Sequence, residues 1–166
     1  KVFVGGDFTV IGGASRSRLA ALDPTSGAAA SGWDPSPNNV VRALTLSGST
    51  LYAGGDFTVI YGLGRSKLAA VDVTAGVPAP SWNPGGALGI NAAVYALAVM
   101  GSSVAAGGNF TSVDGSARGY ALTVDSGGVL TAWNPQLNGA VRAMSFAGGR
   151  VFVWDSKAEA AVGEAG

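Results

Sequence analysis

A pentapeptide that returns at near-constant intervals constrains this chain more than any other feature. Gly-Gly-Asp-Phe-Thr fills residues 5–9 and 54–58, and Gly-Gly-Asn-Phe-Thr fills residues 107–111. From Gly5 to Gly54 and from Gly54 to Gly107 the offsets are 49 and 53 residues. Other landmarks keep that register. Arg16, Arg65 and Arg118 correspond, as do Asp23, Asp72 and Asp125. Trp33, Trp82 and Trp133 correspond, each followed by Asp or Asn and then Pro. So do the runs VRAL at 41–44, VYAL at 94–97 and VRAM at 141–144. Internal periods of 20–50 residues mark architectures in which one supersecondary unit stacks on the next.

Each unit reads as four short strands, a to d. Strand a is an apolar run such as residues 40–46 or 94–99, followed by a tight Gly/Ser turn. Strand b, at residues 2–6 or 51–55, runs into the glycine pair. Strand c is LAALD at 19–23 or LAAVD at 68–72, and strand d is brief and ends at the tryptophan. Short strands between frequent turn signals mean an all-β fold. The 27 glycines and seven prolines supply those signals. Only residues 157–162 offer a window in which the alanine content favours helix.

A four-stranded unit of about 50 residues predicts an antiparallel blade of a β-propeller. Residues 1–153 hold three such repeats, starting near residues 2, 51 and 104, with a truncated fourth at 151. Residues 154–166 read as a non-repeat tail, because Trp154-Asp155 stands where the glycine pair is due. The first unit lacks a strand a, and the last strand a lacks its unit. Propellers close with about 4–8 blades. The chain is therefore read as a partial propeller, with further blades from a longer chain, or as half of a dimeric ring in which the strand at Val141 completes the partner's first blade. A β-trefoil is the alternative for three units of this length.

Composition narrows the function classes. Formal net charge is zero and only 12% of residues are charged. No basic run tracks a phosphate backbone, so nucleic acid is not an expected partner. No apolar run reaches the roughly 20 residues that span a bilayer as a helix. The chain has no cysteine and no histidine. A Ser-His-Asp triad and a cysteine nucleophile are thereby excluded. Most of the acids and bases recur at repeated positions, whereas a catalytic constellation is normally unique. The expectation is a non-catalytic protein with no cofactor and no metal site.

In a four-stranded meander the b–c and d–a connections share one face, and loops on a rigid scaffold commonly carry binding. The candidate ligand-face residues there are Arg16, Arg65 and Arg118, then Asp34, Asn83 and Asn134, beside Trp33, Trp82 and Trp133. That set would let polar groups hold a sugar while an indole stacks on it. The competing expectation is structural: tryptophan between blades, and arginine paired with the Asp that ends strand c.

The pattern VGGDFT…RLAALD…WDP…VRAL resembles Kelch-like repeats, and more closely the tandem propeller repeats of secreted bacterial proteins, over about residues 1–153. The resemblance implies a β-propeller, an extracellular or cell-surface setting, and a role as a scaffold or protein-interaction module. A multivalent carbohydrate-binding lectin with one shallow site per repeat is the alternative. A fragment of a larger enzyme, with its active site outside this chain, is the third.

Overall fold

The computed structural model describes residues 1–155 and the backbone of residues 160–164. The first repeat contains β1 (Val2–Gly5), β2 (Val10–Ile11), β3 (Ala14–Ser15) and β4 (Leu19–Leu22). The second contains β5 (Val41–Ser47), β6 (Thr50–Gly55), β7 (Val59–Ile60), β8 (Leu63–Gly64) and β9 (Leu68–Asp72). The third contains β10 (Val94–Met100), β11 (Ser103–Gly108), β12 (Ser112–Val113), β13 (Ser116–Ala117) and β14 (Ala121–Val124). Then come β15 (Val141–Ala147), β16 (Arg150–Asp155) and β17 (Ala160–Glu164).

The blades are antiparallel meanders, β1-β4, β5-β6-β9, β10-β11-β14 and β15-β16-β17. β5 packs on β1, β10 on β5, and β15 on β10. This succession of face-packed meanders is a β-propeller arrangement, and it sets aside the trefoil. Strand d shrinks to one bridge per repeat, Leu22↔Ala29, Val71↔Pro78 and Val124↔Leu130. Proline in all three d–a connections, at Pro35, Pro84 and Pro135, limits pairing there, because it has no N–H to donate to a ladder.

Two features differ from the sequence expectation. The b–c loops each contain a two-residue hairpin, β2-β3, β7-β8 and β12-β13. Their turns are Gly12-Gly13, Tyr61-Gly62 and Asp114-Gly115, all at positive φ. That is the turn whose twist suits a two-residue connection. The segment read as a tail also supplies β17, which pairs with β16 from Arg150↔Glu164 to Trp154↔Ala160. Within the helix-prone window, residues 160–162 are strand and residues 157–159 lie outside the described residues. β15, which in the dimeric-ring reading completes a second chain's first blade, pairs with β16 of its own chain.

The pentapeptide has a mechanical explanation. The N–H groups of Gly6, Gly55 and Gly108 donate to the carbonyls of Arg18, Lys67 and Tyr120. Those three residues in turn donate their N–H to the carbonyls of Phe8, Phe57 and Phe110. All three sit at φ of 62–69°, a left-handed conformation that costs a non-glycine residue about 1 kcal/mol. The first glycine of each pair faces the next blade. A Cβ on Gly5, Gly54 or Gly107 would lie 2.6, 2.5 or 2.3 Å from a methyl of Val41, Val94 or Val141. The phenylalanine then fills the core, with Phe57 and Phe110 fully buried.

Candidate functional site

The residues singled out on the ligand face are held mostly by the scaffold. Arg65 donates from Nη1 to the Gly64 carbonyl at 2.7 Å and from Nη2 to the carbonyls of Ala79 and Pro80 at 3.0 and 2.9 Å. Arg16 reaches the carbonyls of Ser15 and Ala30, and Arg118 those of Ala117 and Thr131. Each arginine ties the b–c hairpin to the d segment, leaving its buried Nε without a partner. The expected pairing with the strand-c aspartates is absent among the described residues. Asp23, Asp72 and Asp125 instead accept N–H groups of the turn that follows, as with Thr74 and Ala75 on Asp72 at 2.8 and 2.7 Å. Short side chains that accept from the backbone two or three residues on are local turn formers.

Asp34 accepts from Ser36 at 2.8 Å and lies 4.0 Å from Arg16. Asn83 donates to the Gly86 carbonyl, and Asn134 accepts from the N–H groups of Gly119 and Gln136. Trp33 and Trp82 are 1% and 3% exposed. Each indole N–H crosses to the next repeat, Trp33 to the Asp72 carbonyl at 3.2 Å and Trp82 to the Asp125 carbonyl at 3.3 Å. Trp133 differs: it is only partly buried and makes no such bond among the described residues. The three positions are thus alike in sequence and unlike in accessibility.

Two groups escaped the sequence reading. Asn38 and Asn91 latch neighbouring repeats. Asn91 accepts from the N–H groups of Thr111 and Ser112 and donates to the Thr111 hydroxyl, all within 2.9–3.1 Å, and Asn38 does the same at Thr58 and Val59. The threonine of the pentapeptide is therefore a latch point. At the start of strand a, register shifts at Arg42, Tyr95 and Arg142 mark bulges that turn these side chains toward one another. The guanidiniums of Arg42 and Arg142 lie 5.5 and 4.6 Å from the centre of the Tyr95 ring. Asp56 bonds Arg42 at 2.5–2.8 Å, which raises the Arg42 pKa above its ordinary value.

The surface left unused by internal contacts is the edge of β1. In the second and third blades, strand a lies beside strand b, with Val41↔Gly55 and Val94↔Gly108 in register. A Cβ at Gly55 or Gly108 would sit 2.1 or 2.0 Å from the carbonyl oxygen of Val40 or Ala93. At Gly6 it would meet only the Phe8 ring, at 3.3 Å. Among the described residues, no strand fills along β1 the slot that strand a fills in its sister blades. On β15, Ala143, Ser145 and Ala147 are exposed, whereas the corresponding Ala96 and Ala98 of β10 are buried. Among the described residues, β1 thus has a free edge and β15 an exposed face.

No protein-family model and no curated protein matches the sequence. Among solved structures, the computationally designed Ika4 protein is similar in fold, with a TM-score of 0.65 at 16% identity, covering 100% of this chain and 92% of that one. The designed Ika8 protein gives 0.47 at 14% identity, and BamB from Moraxella catarrhalis gives 0.41 at 16% identity. The alignments take in 89% of this chain and 52% and 51% of those two, so the match spans about half their length. These likenesses concern the fold alone.

Proposed function

We propose that this chain belongs to a non-catalytic β-propeller interaction module of extracellular or cell-surface setting, in which the edge of β1 takes up a further strand. The observation that carries the reading is the contrast at the second glycine of each pair. Backbone crosses the Cβ position of Gly55 and Gly108, whereas at Gly6 only the Phe8 ring comes near it. A sheet edge recruits an extended segment through main-chain hydrogen bonds, with alternate side chains setting specificity. The sister blades specify what fits: valine at the bulge, then alanine two residues on and a large aliphatic side chain after it, as in Val41, Ala43 and Leu44. Leu44 packs against the core that contains Leu19, Trp33 and Phe57, so strand a is apolar on the face it turns toward the preceding blade.

A labelled peptide of residues 40–47 titrated into the chain and followed by fluorescence anisotropy tests this. Saturable binding is expected, together with its loss in Gly6→Val, where the new side chain occupies the slot. Gly6 is not at positive φ, so that substitution leaves the backbone unstrained. Absence of binding, or equal binding by Gly6→Val, would refute the strand-addition reading.

A further inference from the structure

The cleft between the third and fourth sheets lies beside a break in the repeat. Cross-strand register equates Phe3↔Ala21, Tyr52↔Ala70 and Ala105↔Thr123. In the first two repeats an aromatic ring faces an alanine. That ring lies against the tryptophan of its own repeat, Phe3 at 5.1 Å from Trp33 and Tyr52 at 5.2 Å from Trp82, with interplanar angles of 52° and 53°. In the third repeat the ring is gone and Ala105 stands in its place.

The polar character of the position changes at the same time. Thr123 replaces Ala21 and Ala70. Thr131 replaces Ala30 and Ala79, an equivalence shown by its carbonyl, which accepts from Arg118 as theirs accept from Arg16 and Arg65. The hydroxyls of Thr123 and Thr131 are hydrogen-bonded to each other, and the Thr131 hydroxyl also accepts from the Trp133 N–H at 3.2 Å. Next to this position, above the fully buried Ala105, lies a cleft of about 420 Å³, lined by Met100, Ser103, Thr123, Thr131, Trp133 and Phe146. That volume falls within the roughly 300–1,000 Å³ of small-molecule sites.

We propose that this cleft binds a small monocyclic aromatic compound carrying a hydroxyl group, of the phenol class. The molecule itself supplies the template. A ring placed as Tyr52 is placed would meet the Trp133 indole at the tilted geometry that aromatic pairs prefer. Phe146, 37% exposed, borders the same space from β15. Each threonine hydroxyl both donates and accepts, so the pair offers a phenol O–H two partners. A pyranose would bring several hydroxyls to a cleft that meets them with few polar groups, which favours the singly hydroxylated ring.

The test is titration of the full chain with p-cresol, followed in the 1H–15N spectrum. A ligand of so few atoms is expected to saturate with a Kd on the order of 1 mM. Shifts should be confined to the Trp133 indole, Thr123, Thr131 and the β15–β16 turn. Toluene should bind about tenfold more weakly, and that gap should close in the Thr123→Ala/Thr131→Ala variant. Ala105→Tyr, which supplies the ring from within, should abolish binding. If that variant does not fold, Trp133→Leu serves in its place, with at least a tenfold loss expected. No saturable binding, shifts centred elsewhere, binding unchanged by either variant, or equal binding of a methyl glycoside would each overturn the proposal.

Discussion

The interface between the second and third blades and the outer flank of the first blade are built from the same words, and only one of them is finished. Between the second and third blades Tyr52 meets Trp82, Trp82 bonds across to Asp125, Asn91 latches Thr111, and Phe110 is fully buried. On the first blade Phe8 is only partly buried, Gly5 is exposed, and no backbone lies where a Cβ on the second glycine would point. The motif's bonds within a blade form in all three repeats, whereas its contacts between strands a and b need the neighbouring strand. The repeated pentapeptide encodes half of an interface, and the half that stays unmatched becomes surface.

The sharpest way to break this comparison is at the glycines. Gly108→Ala forces a methyl to 2.0 Å from the Ala93 carbonyl oxygen, which only a backbone shift relieves. Its cost should exceed about 4 kcal/mol, in the range of severe overpacking and backbone strain. Gly6→Ala should stay within about 0.5 kcal/mol of the parent. Urea midpoints of the two variants decide the matter, and similar losses would mean that the β1 edge is covered after all.

Tryptophan comes next. Trp82→Ala should cost about 3–5 kcal/mol, as for a fully buried large side chain. Trp133→Ala should cost less than about 2 kcal/mol, because it is partly exposed and lacks the crossing hydrogen bond. Equal thermal shifts in the two variants would contradict the difference in their packing.

The asparagine latches rank third. Asn91→Ala removes three hydrogen bonds between repeats and leaves the N–H groups of Thr111 and Ser112 without that partner, at a cost of about 1–3 kcal/mol. Asn138 occupies the same place ahead of Val141 but is exposed and forms no such latch among the described residues. Asn138→Ala should be neutral within about 0.5 kcal/mol.

The smallest effect is a control that should not distinguish end from middle. Asp23 is held below its ordinary 3.8 by the Ser26 N–H and hydroxyl and the Thr25 N–H, and Asp72 by the Ala75 and Thr74 N–H groups. Folding depresses both pKa values. The stabilisation is therefore present above pH 3.8 and fades as pH falls through the lower folded values. Carboxyl 13C titrations should show both depressed. Because these contacts are local to each turn, a normal value at Asp23 alone would mean that the end blade is loose within as well as at its edge.

The division between what could and could not be read beforehand follows the range of the interactions. Strands a to c, the turns and the interblade place of Trp33 and Trp82 were legible, because apolar runs, glycines and a common register report them directly. The hairpins at β2-β3, β7-β8 and β12-β13 were read as loops, since two-residue strands leave no alternation to detect. The arginines were paired in expectation with the aspartates of strand c, yet they bind carbonyls, and main-chain acceptors carry no sequence signal. The strand at Ala160–Glu164 was hidden by its alanines, whose helix preference yields there to pairing with β16. The cleft at Trp133 was visible in principle, as the one repeat with alanine in the aromatic position, but only the register shows that Ala105 and Thr123 face each other.

The open edge of β1 is tested most directly by amide hydrogen exchange on the monomeric chain. The Gly6 N–H donates to the Arg18 carbonyl, so alternation along an antiparallel pair turns the N–H groups of Phe3 and Gly5 away from β4. Their counterparts, Tyr52 and Gly54, face β5. An open slot predicts strong protection at Tyr52 and Gly54 with exchange at Phe3 and Gly5 close to that of an unstructured chain. Matching protection at all four, in a species whose mass by light scattering is 16.3 kDa, would show that the slot is filled from within and contradict the unfinished blade.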